Sequence, residues 1–198
     1  MRIIDLAHDD EKIIEQVADL LIDAFAHIPD YLKTRGEALA EIRESFAQKR
    51  ISRVALDDEG NALGWVGGIE QYDGNVYELH PLAVKPGAQR RGIGRALVSD
   101  FEDQVRQRGA GTIMLGTDDE FGGTTLFGKD VYPDVLEHAA AIRNIGNHPY
   151  EFYQKCGYVI VGILPDANGF GKPDIYMAKR VGRAAEKSTT HPVELGGL

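Results

Sequence analysis

The sequence predicts a mixed α/β fold, one twisted sheet with helices on its faces. Three observations predict it. Apolar residues recur at helical spacing near the N-terminus. Three β-rich runs follow, separated by Asp- and Gly-rich turns. From there to the C-terminal region, helical and strand patterns alternate.

Residues 2–6 read as a short strand. Ile13, Ile14, Val17, Leu20, Leu21, Ala24 and Phe25 then mark one face of a helix, ended by the run His27-Ile28-Pro29-Asp30. Thr34 followed by Glu37 is a capping box, opening a second helix with Leu39, Ile42 and Phe46 inward. A three-strand meander follows at residues 52–56, 63–71 and 76–84, its turns being Asp57-Asp58-Glu59-Gly60-Asn61 and Asp73-Gly74-Asn75. A helix is expected over 94–108, with Ala96, Leu97, Phe101 and Val105 on one side, and a buried strand over 112–115. Residues 118–147 are less regular, with a helix around 135–145. A short helix at 150–156, strands at 158–164 and 175–179, and a small, polar stretch from Gly182 complete the pattern. No internal repeat or linker interrupts it, so one domain is expected over 1–182, with 183–198 a flexible tail.

Composition narrows the function. The chain has 198 residues, 43% hydrophobic and 27% charged, with net charge -9. An acidic chain lacks the basic face of a nucleic-acid binder and suits a cationic partner such as a polyamine, a basic peptide or an amino sugar. The single cysteine, Cys156, permits no intrachain disulfide, and a reducing cytoplasm is the expected home. The N-terminus lacks the apolar run of a signal peptide, and no stretch is long and apolar enough for a membrane span.

Against this acidic background, Gln89-Arg90-Arg91-Gly92-Ile93-Gly94-Arg95-Ala96 stands out. It lies between an expected strand and an expected helix. A helix start offers unpaired N–H groups and partial positive charge, and the glycines let an anion approach the backbone. Three arginines add cationic charge. Phosphate or pyrophosphate is the implied ligand. A nucleoside-triphosphate P-loop is excluded, because Ile93-Gly94 stands where Lys and Ser/Thr are needed. A dinucleotide fingerprint fails at Leu97. Glu78 and His80, two apart on the preceding strand, share a face, and Pro81 after them cannot donate to a sheet ladder, so a bulge or a splayed pairing is expected there. A Glu-x-His pair could begin a metal site, but no third ligand has metal-like spacing and no metal is expected.

The remaining pattern, Gln-x-x-Gly-x-Gly, is that of the GNAT acyl-CoA N-acyltransferases. Three longer blocks resemble the aminoglycoside 6'-N-acetyltransferases of that superfamily, in particular the dimeric chromosomal enterococcal type: GWVGGIEQYDGNVYELHPLAV, LGTDDEFGGTTL and HPYEFYQKCGYVIVGILPDANGFGKPDIYMAKR. The resemblance runs from about Arg50 to Arg180, more loosely over the first two helices. Many relatives carry tryptophan where this chain has Tyr77 and Tyr176, which bears on antibiotic preference, and the residues beyond Arg183 have no counterpart.

The resemblance implies a mostly antiparallel mixed sheet with a splayed central strand pair, acetyl-CoA as co-substrate, and direct attack of an amine on its thioester. A homodimer is implied as well. Leu82, Ala83 and Val84 would pair with the pantetheine arm, and Gln89, Arg90, Arg91, Gly92, Ile93, Gly94 and Arg95 would hold the diphosphate. Glu78 is the candidate base, acting through a water, with His80 assisting or orienting. Tyr153 falls where the superfamily places a tyrosine beside the leaving sulfur. Cys156, without a histidine placed to activate it, reads as a small packed thiol rather than an acyl carrier. A polycationic acceptor calls for carboxylates, and Asp118, Asp119, Glu120, Glu137 and Asp23 are the candidates, with Tyr72 and Glu78 beside them; Asp30 flanks the same helix end as Asp23. Three functions remain open: an aminoglycoside 6'-N-acetyltransferase, an acetyltransferase for another cationic amine, and a non-catalytic acyl-CoA-binding module.

Overall fold

The computed structural model describes residues 1–28 and 31–182. The elements run β1 (Arg2–Asp5), α1 (Glu11–Ala24), α2 (Arg35–Glu44), β2 (Ile51–Leu56), β3 (Ala62–Gln71), β4 (Val76–Val84), α3 (Ile93–Gln107), β5 (Thr112–Asp118), α4 (Val135–Ala140), α5 (Tyr150–Lys155), β6 (Val159–Leu164) and β7 (Asp174–Arg180). The expected order is reproduced. β5 runs on to Asp118, three residues past the stretch that reads as buried, because its last residues alternate between core and open face. α4 stops at Ala140, short of the expected 145, as the chain turns to bridge Asn144 onto Thr124. Asp30 and residues 183–198 lie outside the described residues.

Local chemistry sets the helix starts. The Asp10 carboxylate accepts from the Ile13 N–H, and Thr34 and Glu37 form both bonds of the capping box. The strands form one seven-stranded sheet in the order β1-β2-β3-β4-β5-β7-β6. Every pairing is antiparallel except β4 with β5.

Each face of the sheet carries a core. On one, α1 and α2 pack over Val54, Leu56, Trp65 and Ala83. Trp65 is fully buried, and its indole N–H donates to Ser52 Oγ at 3.0 Å. On the other, α3 lays Leu97, Val98, Phe101 and Val105 over Val66, Leu79, Ile113 and Leu115. Phe101 needs room: a Cβ at Gly68 would stand 2.4 Å from its ring. The buried Arg53 pins α3 to the sheet, forking onto Asp100 at 2.7 and 2.9 Å and reaching Asp5 at 2.7 Å.

One irregularity organises the site. β3 and β4 pair Val66↔Leu82 and then Gly68↔Leu79, so β4 holds one extra residue at the His80–Pro81 step. Gly67 faces that step, and a Cβ there would lie 2.4 Å from the His80 carbonyl oxygen. The extra residue flips the parity of β4. Tyr77 and Leu79 face the α3 core before it, and Leu82 and Val84 face it afterwards. Gly67→Ala is therefore expected to push β3 and β4 apart and destabilise the protein by about 1–3 kcal/mol or more. Urea denaturation would measure that, and a wild-type midpoint in the variant would contradict the packing argument.

Candidate active site

β4 ends at Val84, and a tight turn at Pro86–Ala88 leads into the arginine-rich loop. Gln89 donates its amide to the Val84 carbonyl at 3.2 Å, so this side chain sets the shape of the loop. Arg90 and Gly92 adopt left-handed φ values of 60° and 84°, and Gly92 caps α3 with no side chain accepting from the first turn. The N–H groups at the start of α3 have no intrahelical acceptor. A Cβ at Gly87 or Gly92 would meet nothing within 4 Å, so the approach to those donors is open. Arg90, Arg91 and Arg95 are all exposed around it. The arrangement fits a diphosphate: oriented N–H groups, a helix start and three exposed cations.

Beside this cradle the sheet opens. β4 and β5 pair only at Val76↔Thr112, Tyr77↔Ile113 and Glu78↔Met114. Beyond Glu78 both strands continue, to Val84 and Asp118, without pairing to each other. That edge of β4 can accept an extended chain, as in β-augmentation. Leu82, Ala83 and Val84 lie along it. Glu78 sits at the fork, partly exposed, with Oε2 accepting from the Gln71 amide at 3.1 Å. His80 is exposed at the bulge. Burial alternates up to that step, with Tyr77, Leu79 and Pro81 buried and Glu78 and His80 more exposed between them.

α5 closes the cradle from the side. Phe152 packs on Gly94, where a Cβ would come within 3.3 Å of its ring. Tyr153 stacks edge-on against Phe152 and Tyr158, with centroids 5.0 and 5.9 Å away. Burial pushes the Tyr153 phenol well above the usual tyrosine range, so it keeps its proton at neutral pH. Burial also raises the Cys156 thiol, which disfavours a nucleophilic thiolate. Tyr150 is buried, 4% exposed. Ahead of it the buried His148 accepts from the Tyr150 N–H at Nδ1, 3.3 Å, so Nε2 carries the hydrogen and donates to the Asp118 carbonyl at 3.0 Å. Burial holds this imidazole below its ordinary pKa.

The open face of β5 and β7 is acidic. Glu78 pairs with Met114, Gly116 with Tyr176 and Asp118 with Asp174, all on the face opposite Ile113, Leu115, Ile175 and Met177. Asp118 is exposed and accepts from the Asn168 amide at 2.5 Å. Tyr31 reaches this end of the sheet, its phenol pushed up to about 12 by burial and by Glu41 and Asp118. The His27 ring, past the end of α1, lies 6.1 Å from the Phe121 ring, so the end of α1 and the loop after β5 approach each other.

The Acetyltransferase (GNAT) family matches residues 14–122. The chain belongs to the GNAT acetyltransferases. It is similar to the crystal structure of an aminoglycoside 6'-N-acetyltransferase complexed with coenzyme A, at 40% identity and TM-score 0.84, over 91% of this chain and 97% of that one. The aminoglycoside 6'-N-acetyltransferase from Enterococcus faecium matches at 40% identity and TM-score 0.83, with the same coverage. An aminoglycoside 6'-acetyltransferase type Ii matches at 35% identity and TM-score 0.69, again over 91% and 97%. No curated protein matches the chain.

Within this acetyltransferase the acids read from the sequence fall into different places. Asp118 lies on the open face, and Glu120 is partly exposed just beyond it. Asp119 points inward, 1% exposed, accepting from the Gly123 and Thr124 N–H groups and the Thr124 hydroxyl at 2.7–2.8 Å. It folds its own loop and is not presented to an acceptor. Glu137 is exposed on α4, which packs against the edge strand β6. Asp23 is exposed in the last turn of α1, and Tyr72 is exposed in the turn before β4.

The residue that sequence reasoning passed over is Asp174. Burial, then Asp118, and more weakly Glu78 push its carboxyl up to about 6. The native state therefore holds this proton through a window, from about 3.8 to 6, in which the unfolded chain has released it. Stability falls as pH rises through that window, because ionising the native carboxyl is uphill. Asp174→Asn should leave the melting temperature nearly unchanged near pH 4 and raise it at pH 8. Equal shifts at both pH values would refute the assignment.

Proposed function

We propose that this acetyltransferase moves the acetyl group of acetyl-CoA to the 6'-amine of aminoglycosides. The observation that carries the proposal is the fork between β4 and β5, set between the diphosphate cradle and an acidic face. The likeness to the three aminoglycoside acetyltransferase structures supports the acceptor class.

The geometry supports the following chemistry. The diphosphate of coenzyme A lies against the N–H groups of Gly92, Ile93, Gly94 and Arg95, with Arg90 and Arg91 nearby. Pantetheine extends along the free edge of β4, where Leu82, Ala83 and Val84 offer backbone groups. The thioester then lies at the fork, near Glu78. The acceptor arrives as an ammonium, and Glu78 takes a proton from it through a water, with His80 assisting. The free amine attacks the carbonyl carbon; backbone N–H groups of β4 stabilise the oxyanion. The C–N bond forms, the nitrogen gives up its second proton to water, the C–S bond breaks, and the Tyr153 phenol protonates the departing thiolate and regains a proton from solvent.

The same reading extends to the assembly and setting of the protein. The acetyltransferase domain spans 1–182, and the enzyme acts as a homodimer in the cytoplasm, where it confers aminoglycoside resistance.

Purified protein should release CoA with kanamycin-type acceptors and not with analogues bearing a 6'-hydroxyl. Glu78→Gln should lower kcat by about 10²–10⁴-fold, and Tyr153→Phe by less. Inactivity on every 6'-amine would remove the proposal. Spermine or a basic peptide outperforming kanamycin in kcat/KM by orders of magnitude would favour a different amine as the true acceptor.

A further inference from the structure

His148 is a buried imidazole, 6% exposed, for which the chemistry above has no role. Its backbone is held on both sides by one side chain: Asn144 accepts from the His148 N–H and donates to the His148 carbonyl, each at 2.9 Å. Its ring is held at both nitrogens. Nδ1 accepts from the Tyr150 N–H at 3.3 Å, and Nε2 donates to the Asp118 carbonyl at 3.0 Å. The loop after β5 closes on the ring, with Gly123 so near that a Cβ there would stand 2.9 Å from the His148 Cδ2. Asp118 and Asp119 face the ring from the β5 side, and the Tyr150 ring faces it from α5, with centroids 5.6 Å apart. A histidine bonded at both ring nitrogens and both backbone groups has one tautomer and one orientation.

α5 depends on this anchor. It spans 6 residues, and no side chain of its cap residue bonds its first turn. A helix that short is not stable by itself in water, so its place is set by what it touches. The N–H groups of Phe152 and Tyr153 go to the Pro149 carbonyl, the residue next to His148, at 2.9 and 3.3 Å. The Tyr150 N–H, which no carbonyl within the helix can serve, goes to the imidazole. Tyr153 lies one turn further on. At its other nitrogen the imidazole holds the last residue of β5, the strand whose pairing with β4 stops at Glu78↔Met114. His148 therefore ties the helix that carries Tyr153 to one strand of the fork.

We propose that His148 is a positioning residue for the transfer step: through its bonds to the Tyr150 N–H and the Asp118 carbonyl it sets the place of the Tyr153 hydroxyl relative to the departing sulfur. This rests on the acetyltransferase reading above, in which Tyr153 protonates the thiolate. The imidazole itself exchanges no proton in the reaction. Proton transfer needs donor and acceptor within hydrogen-bond reach, so a small displacement of α5 slows turnover and spares acceptor binding.

The test is a double-mutant cycle on kcat. His148→Leu keeps much of the bulk of the ring and removes both of its bonds. Gly123→Ala leaves the histidine in place and crowds its ring, a milder displacement that serves where His148→Leu folds poorly. Melting temperature and the stoichiometry of acetyl-CoA binding give the folded, binding-competent fraction of each variant, and kcat is expressed per binding site. His148→Leu should lower kcat about tenfold to a hundredfold, the scale of a misplaced catalytic group, with the acceptor KM nearly unchanged. Gly123→Ala should lower it by less. In a Tyr153→Phe background neither substitution should lower kcat further, because the hydroxyl whose place they disturb is gone. A merely structural role would multiply the two losses instead. Nitrogen NMR of histidine-labelled wild type at neutral pH should show the signal that His148→Leu removes to be protonated at Nε2 and bare at Nδ1. Multiplying losses, a wild-type kcat in His148→Leu and Gly123→Ala or in Tyr153→Phe, a raised acceptor KM at constant kcat, or a doubly protonated imidazole overturns the inference while leaving the enzyme's activity in place. A wild type that acetylates no amine removes the functional reading along with it.

Discussion

The contact of Gly67 with the His80 carbonyl is the constraint from which the site follows. Only a residue without a Cβ lets β3 lie against the extra residue that β4 carries at His80–Pro81. That residue shifts the alternation of β4, so Tyr77 and Leu79 on one side and Leu82 and Val84 on the other all serve the α3 core. Past the shift, β4 keeps its pairing with β3 and has none with β5. A sheet normally satisfies both edges of an internal strand. Here one edge of β4 is left unpaired beyond Glu78, inside the sheet rather than at its border.

Charge is arranged with the same economy of position. The chain is strongly acidic, yet its exposed arginines at 90, 91 and 95 gather around a helix start. On the supporting side, acids meet their partners: Asp100 has Arg53, and Glu102 takes two bonds from Lys179 at 2.7 and 2.8 Å. On the open face of β5 and β7, Asp118 and Asp174 face each other, and among the described residues neither has an ion-pair partner. An anion therefore finds a basic cradle on one side of the fork, and a cation an acidic face on the other.

One short segment joins the two halves. Phe152 of α5 packs on Gly94 at the cradle, while His148, just ahead of α5, donates to the carbonyl of Asp118. Tyr153 follows Phe152, its ring held between Phe152 and Tyr158. Residues 148–152 thus touch both the cradle and the acidic end of β5. The neutral tautomer of His148 is part of this joint, because protonating Nδ1 would break its bond from the Tyr150 N–H.

Periodicity and turn chemistry were enough to read the order of elements, because helical and strand spacings are local properties of the chain. The capping box at Thr34, the meander turns and the glycine cradle are all of this kind. Pro81 announced the irregularity in β4, since proline cannot donate to a ladder. The resemblance carried the chemistry onto Glu78 and Tyr153. What the sequence by itself did not settle was which acids face the cleft. Asp118, Asp119 and Glu120 are consecutive, and composition treats them alike, but the loop turns Asp119 inward onto Gly123 and Thr124. Asp174 lies 56 positions from Asp118 and reads as an ordinary strand-end acid. Only the antiparallel register of β5 with β7 sets those two side by side, and only Gly116 leaves room for the second. Local pattern determines where strands begin and end; the facing of side chains across them depends on pairing between distant segments, and that is decided by the tertiary structure.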